Sequence, residues 1–190
     1  MYTQRFIQTG NSCAAATLMI ALHEFDPKNK VDSTTEQTLY GQTRDAGLSN
    51  ALGIFDINNY YSSPANIKKT AEGQGLKAAL YEKKEIQFLP AEVAGMKANY
   101  IDPLNPRKVD TAAMKKLLDS GPLQLLVYVG GKITTMHWLL LRKNAGAYYL
   151  YDTAFGTNTE VKADVVLDFN AQVTTGRPNN FLGVAFHLTK

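Results

Sequence analysis

The character of the chain changes at Gly121-Pro122. Beyond that point come short apolar runs at 123–129, 136–142, 147–152 and 182–188, rich in β-branched, aromatic and leucine side chains, which is how strands read. Before it the pattern is mostly helical, with one strand-like run at 75–83. Helices followed by strands, rather than alternating with them, predict an α+β fold in which helices stack on one antiparallel sheet or half-barrel. The 190 residues read as one domain over 1–190, helical to about residue 120 and sheet-forming from about 121. A chain of this size buries roughly 70% of its unfolded surface and needs no covalent staple.

Residues 12–25 hold strong helix formers without Gly or Pro, so they predict a buried helix capped by Asn11 or Ser12 and stopped by Asp26-Pro27. Ser33-Thr34-Thr35-Glu36 has the capping-box pattern and predicts a second helix through residue 44, with Gly47 near its stop. Ser63-Pro64 predicts a third, running to Gly73, and Asp110 a fourth over 111–118, closed by Gly121-Pro122. The stretch 98–108, with Pro103 and Pro106, reads as one long loop.

Cys13 is the only cysteine, which excludes an intramolecular disulfide and favours a reducing compartment. A lone cysteine is commonly a small buried apolar residue. Here it opens a predicted helix directly after the polar segment Thr9-Gly10-Asn11-Ser12, where the helix dipole and unpaired N–H groups favour a thiolate and offer donors to an oxyanion. Such a nucleophile needs a base. His23 lies ten residues along the same helix, about 15 Å away, which is out of reach. His187, in the last strand, has no supporting context. His137 starts the strand His-Trp-Leu-Leu-Leu-Arg at the exit of the loop containing Gly130-Gly131-Lys132, where a rigid element presents side chains to a site. A hairpin turned at Asn144-Ala145-Gly146 brings Asp152 to the same sheet end, able to hold the imidazole by its second nitrogen. A turn-initiating aspartate bonded to its own loop would read identically. Asn158 and Asp164 are the next candidates to orient the imidazole.

These residues resemble the papain-like cysteine peptidases, and within them the bacterial branch related to the double-glycine leader peptidases. The matching segments are 8–15 (Gln-Thr-Gly-Asn-Ser-Cys-Ala-Ala), Gly121-Pro122-Leu123, Met136-His137-Trp138, and Tyr151-Asp152-Thr153 followed by Gly156. The resemblance implies a papain-like fold, a Cys13 nucleophile, His137 as general base and acid, Asp152 as orienter and Gln8 as oxyanion donor. The family's glutamine usually stands six residues before the cysteine; Gln8 stands five before Cys13, so Gln4 is the alternative donor. Ser12 and Ala14 stand where the leader peptidases usually have Asp and Gly. Trp138 and Tyr60 or Tyr61 are expected to narrow the substrate cleft, with cleavage after Gly or Ala.

The expected activity is hydrolysis of protein or peptide substrates through an acyl-enzyme, by a bacterial domain acting in the cytoplasm and delivered there as the toxin module of a secreted effector, with a cognate inhibitor or immunity protein as a further partner. The same triad serves deamidation, transglutamination and acyl transfer, and a catalytically silent binding domain with a structural Cys13 is the third reading. The formal charge of +3 comes from dispersed lysines, unlike a nucleic-acid footprint. No HExxH or CxxC spacing points to zinc, no glycine-rich phosphate loop precedes a helix, and no cofactor is expected. No apolar run is long enough to span a bilayer, and the first twelve residues lack a signal peptide's apolar segment, so neither membrane insertion nor general export is expected.

Overall fold

A computed structural model describes residues 1–84, 95–129, 136–168, 172–174 and 178–190. Helices α1 (Cys13–Phe25), α2 (Ser33–Thr43), α3 (Ala46–Ala51) and α4 (Pro64–Gly73) come first. Strand β1 (Lys77–Lys83), a π-helical turn (Lys97–Ile101), a 3-10 turn (Asp102–Leu104) and β2 (Arg107–Val109) follow. The helix Thr111–Leu117 leads to β3 (Leu123–Val129), β4 (Met136–Asn144), β5 (Ala147–Asp152) and β6 (Thr157–Val161). The short helix Ala163–Val166 then precedes β7 (Gln172–Thr174) and β8 (Pro178–Thr189).

The strands form one sheet in the order β2-β1-β8-β3-β4-β5-β6, with β7 beside the start of β8. Every pairing is antiparallel except β1 with β2. The architecture is therefore α+β, N-terminal helices on a mostly antiparallel sheet. The sheet also recruits chain from before residue 121. The long β8 lies between β1 and β3, pairing Leu188 with Ala78 and His187 with Leu123. Residues 98–108 are not one loop: Pro103 sits in the first turn of the 3-10 helix, and Arg107–Val109 pairs with Tyr81, Glu82 and Lys83 as an edge strand.

Both sheet faces are covered, which is why β3 and β4 read as continuous apolar runs rather than as alternation. Leu126, Met136, Trp138 and Leu140 face the helical layer, while Leu123, Leu125, Val127, Leu139 and Leu141 face the second layer with Met114 and Val166. Helix α1 is buried on all sides from Cys13 to Leu22, as befits a helix without a polar stripe, and it packs between α2 and β4. Asp26 leaves the helical region with φ −147° and ψ 106°, the extended backbone that a following proline favours.

Two start signals act as predicted. Ser63 caps α4 ahead of Pro64, accepting from Asn66 N at 3.3 Å, and Asp110 accepts from Ala113 N at 2.7 Å. The capping box at Ser33 does not form. Asp32 is the N-cap, accepting from Thr35 N at 2.8 Å, so Glu36 lies one position too far along and turns into the core. Gly47 does not stop α2, which ends at Thr43; it lies inside α3. Ser12 occupies the N-cap position of α1 but makes no side-chain cap.

Candidate functional site

Cys13 is the first residue of α1 and is only 5% exposed. Gln124, buried on β3, secures that first turn by donating from Nε2 to Ala14 O at 2.9 Å and to Thr17 Oγ1 at 2.8 Å. Thr17 Oγ1 in turn donates to Cys13 O at 2.8 Å. The nucleophile candidate is thus fixed to the same sheet that carries the two other chemical groups.

The β4–β5 hairpin sets their relation. Asn144 pairs with Ala147 across the two-residue turn Ala145-Gly146, whose φ values of +48° and +87° are those a type I′ turn requires. The ladder runs to Leu140↔Tyr151; Asp152 lies one residue and His137 three residues past that last pair, at one sheet end. The Gly130-Gly131-Lys132 connection before His137 lies outside the described residues. His137 Nε2 is 2.7 Å from Asp152 Oδ1, with His137 3% exposed and Asp152 fully buried. The same Oδ1 accepts from Ala154 N at 2.9 Å, so Asp152 starts its own turn and holds the imidazole at once. Holding Nε2 leaves Nδ1 as the ring nitrogen for Cys13. Burial pulls the His137 pKa down, but the hydrogen bonds that the imidazolium donates to Asp152 and Cys13, and their charges, outweigh it and raise it from 6.5 to about 9.

Gln8 joins this group through Thr153. Its backbone N donates to Thr153 O at 2.8 Å, its Oε1 accepts from Thr153 Oγ1 at 2.6 Å, and its Nε2 donates to Gly10 O at 2.9 Å. A carbonyl can only accept, so Gly10 fixes which end of the amide is nitrogen, and Nε2 keeps a second N–H. Gln4 is exposed, does not line the cleft and takes part through its backbone, accepting from Tyr151 OH at 2.9 Å. Gly156, at φ +63°, lets segment 5–7 cross close to the β5–β6 turn; a Cβ there would stand 2.9 Å from Phe6 O. Gly156→Ala is therefore expected to cost about 2 kcal/mol, read as a fall in Tm of about 5 °C, and an unchanged Tm would contradict the packing described.

Gln8, Gly10, Asn11, Tyr61, Met136 and Ala154 surround Cys13 and His137 in a cleft of about 280 Å³. Cys13 also borders an apolar recess of about 10 Å³, walled by Tyr61, Pro64, Met96, Leu126, Met136 and Trp138 among others. Tyr61 belongs to both walls, and burial and the Cys13 charge raise its pKa. Two expected cleft residues are placed differently. Trp138 is a core residue, 4% exposed and 5.9 Å from Phe186 between ring centroids, and reaches only the recess. Tyr60 lines neither cavity; its carbonyl accepts from Tyr40 OH at 2.7 Å.

The remaining histidines and orienter candidates are engaged elsewhere. His23 Nδ1 is 2.7 Å from Asn29 O, and His187 Nε2 is 3.2 Å from Ser120 Oγ on the far side of the sheet, its pKa lowered by burial. Asn158 Oδ1 accepts from Arg142 at 2.6 Å, and Asp164 pairs with Lys115 at 2.6 Å. Among the described residues no group of His, Cys, Asp or Glu could hold a metal ion, and no helix is long and apolar enough to cross a membrane. Sequence reasoning missed Gln124, Thr153 and Glu36. A glutamine inside the apolar run 123–129 is a usable signal; Thr153 stands in a segment that carries the resemblance but has no role implied there, and the capping-box pattern absorbs Glu36.

No protein-family model matches the chain, and no curated protein matches its sequence. What the site can do rests on its geometry: a thiol at a helix N-terminus, an imidazole held by a buried carboxylate, and amide donors converge on one cleft. That set can carry out acyl transfer through a thioester.

Proposed function

We propose that the protein is a papain-like cysteine peptidase whose nucleophile is Cys13. The observation that carries this reading is the placement of His137, held through Nε2 by buried Asp152 at 2.7 Å while its other nitrogen is left for Cys13 at the cleft floor. In the proposed reaction the Cys13 thiol gives its proton to His137 Nδ1, Sγ attacks the substrate carbonyl carbon, and the π electrons of the C=O bond move to the carbonyl oxygen. The oxyanion is met by N–H groups at the start of α1 and by Gln8 Nε2. Collapse breaks the C–N bond, and the departing amine takes the proton from the His137 imidazolium. A water molecule then gives a proton to His137 as it attacks the thioester, and the thiolate leaves. Action in a reducing cytoplasm, as a bacterial effector or toxin domain, belongs to the same proposal.

Terminus-selective mass spectrometry of a host-cell lysate incubated with the wild type and with Cys13→Ala tests it. New peptide termini that need Cys13 are expected. A one-dalton gain on glutamine side chains without new termini would make the reaction a deamidation, and no change of either kind would leave a binding domain. The apolar recess beside Cys13 has room for little more than a water-sized group. On the likeness to the double-glycine leader peptidases, a peptide-library profile is expected to show Gly or Ala before the cleaved bond, and preferred cleavage after a large apolar or basic residue would contradict it.

A further inference from the structure

Resting on the peptidase reading above, we propose that Glu36 is a positioning residue that clamps the loop between Gln8 and Cys13. Glu36 is fully buried on α2, and its Oε1 accepts from Thr9 N at 2.8 Å and lies 2.5 Å from Ser12 Oγ. One carboxylate oxygen therefore grips both ends of the segment 9–12. That segment turns through Gly10 at φ +59° and is tied at Asn11, whose Nδ2 donates to Asn59 O at 2.5 Å. Gln8 immediately precedes the clamped segment and Cys13 immediately follows it. Ser12 Oγ also lies 2.7 Å from Thr9 O, so the two ends meet beside the carboxylate, and Glu36 fixes where that junction sits and with it the separation of proposed oxyanion donor and nucleophile.

Two observations argue that this contact serves geometry more than stability. Helix α2 does not need Glu36 at its start, because Asp32 caps it. The second carboxylate oxygen, Oε2, is buried without a hydrogen-bond partner among the described residues. Leaving half of a buried carboxylate unsatisfied is costly, so an apolar residue of similar volume would serve packing better. What such a residue cannot supply is the acceptor that draws the Thr9 amide and the Ser12 hydroxyl to one point. A displacement of about 1 Å in a reacting group lowers turnover about a hundredfold, which sets the scale of the expected effect.

The test compares Glu36→Ala, Glu36→Gln and the wild type by amide hydrogen exchange over residues 9–13, and by kcat and KM on a substrate the wild type cleaves. Glu36→Ala is expected to fold, to exchange the Thr9 amide at least about tenfold faster, and to lose about a hundredfold in kcat with KM held within about twofold. Glu36→Gln keeps an acceptor oxygen, so it should restore the Thr9 protection and most of the turnover. Wild-type exchange at Thr9 in Glu36→Ala, or equal impairment in Glu36→Gln, would overturn the proposal. Should Glu36→Ala not fold, Ser12→Ala removes the hydroxyl's contacts to Glu36 Oε1 at 2.5 Å and to Thr9 O at 2.7 Å while Thr9 N keeps the carboxylate, and is expected to speed loop exchange and lower kcat about tenfold; wild-type values in it would overturn the proposal. If the wild type cleaves nothing, the peptidase reading fails while the exchange data alone decide whether Glu36 clamps the loop.

Discussion

His137→Ala is expected to reduce kcat on the order of a million-fold, as loss of the base does when a nucleophile and its histidine act as one unit. The variant also separates chemistry from packing, because His137 supplies both. Folding raises its pKa from 6.5 to about 9, so the imidazolium stabilises the fold fully below pH 6.5, and that contribution is lost as pH rises through 9. Thermal unfolding of the wild type between pH 6.5 and 9 should show this decline, and His137→Ala should lack it. Removing the imidazolium should also slow alkylation of Cys13 by iodoacetamide at pH 7. Wild-type alkylation in His137→Ala would separate His137 from the thiol.

Asp152→Ala should lower kcat about ten-thousandfold, the scale on which the third member of such a triad acts. Its Oδ1 makes the 2.7 Å contact to His137 and accepts from Ala154 N, so the alanine variant frees the ring and loosens the turn together. Asp152→Asn distinguishes the two effects. It keeps an acceptor for the turn and for Nε2–H but removes the charge, so its loss should be smaller and its alkaline limb displaced. The wild-type rate should fall as pH passes about 9, when His137 loses its proton, and in Asp152→Asn that fall should come at lower pH because the charge that raises the pKa is gone. An alkaline limb that stays in place would remove Asp152 from the orienting role.

Much of this site was legible in the sequence because its parts sit where strand and helix ends are strongly signalled. Cys13 follows a polar segment and opens a run of helix formers, while β3 and β5 have the bounds their apolar runs imply. The two-residue turn at Ala145-Gly146 then sets the relation of His137 to Asp152. Long-range pairing was less visible. Nothing local to β8 tells that it separates β1 from β3, and nothing local to Arg107–Val109 tells that it finds an edge beside β1. Glu36 shows a different limit. Ser-Thr-Thr-Glu fits a capping box by spacing, but Asp32 is the better acceptor one residue earlier, and shifting the helix start by one residue carries Glu36 from the helix end into the core. Trp138 is expected to narrow the cleft, yet it is a core residue that packs on Phe186 and lines only the small recess beside Cys13.

The most direct test of the account is to catch the acyl group on Cys13. The wild type is mixed with a substrate it cleaves, quenched in acid on the millisecond-to-second scale, and analysed by intact mass and peptide mapping. The account predicts a transient adduct whose mass equals the N-terminal part of the substrate, joined to Cys13 as a hydroxylamine-sensitive thioester and accumulating when deacylation is slow. Cleavage with no adduct under single-turnover conditions, with undiminished cleavage by Cys13→Ala, would contradict it.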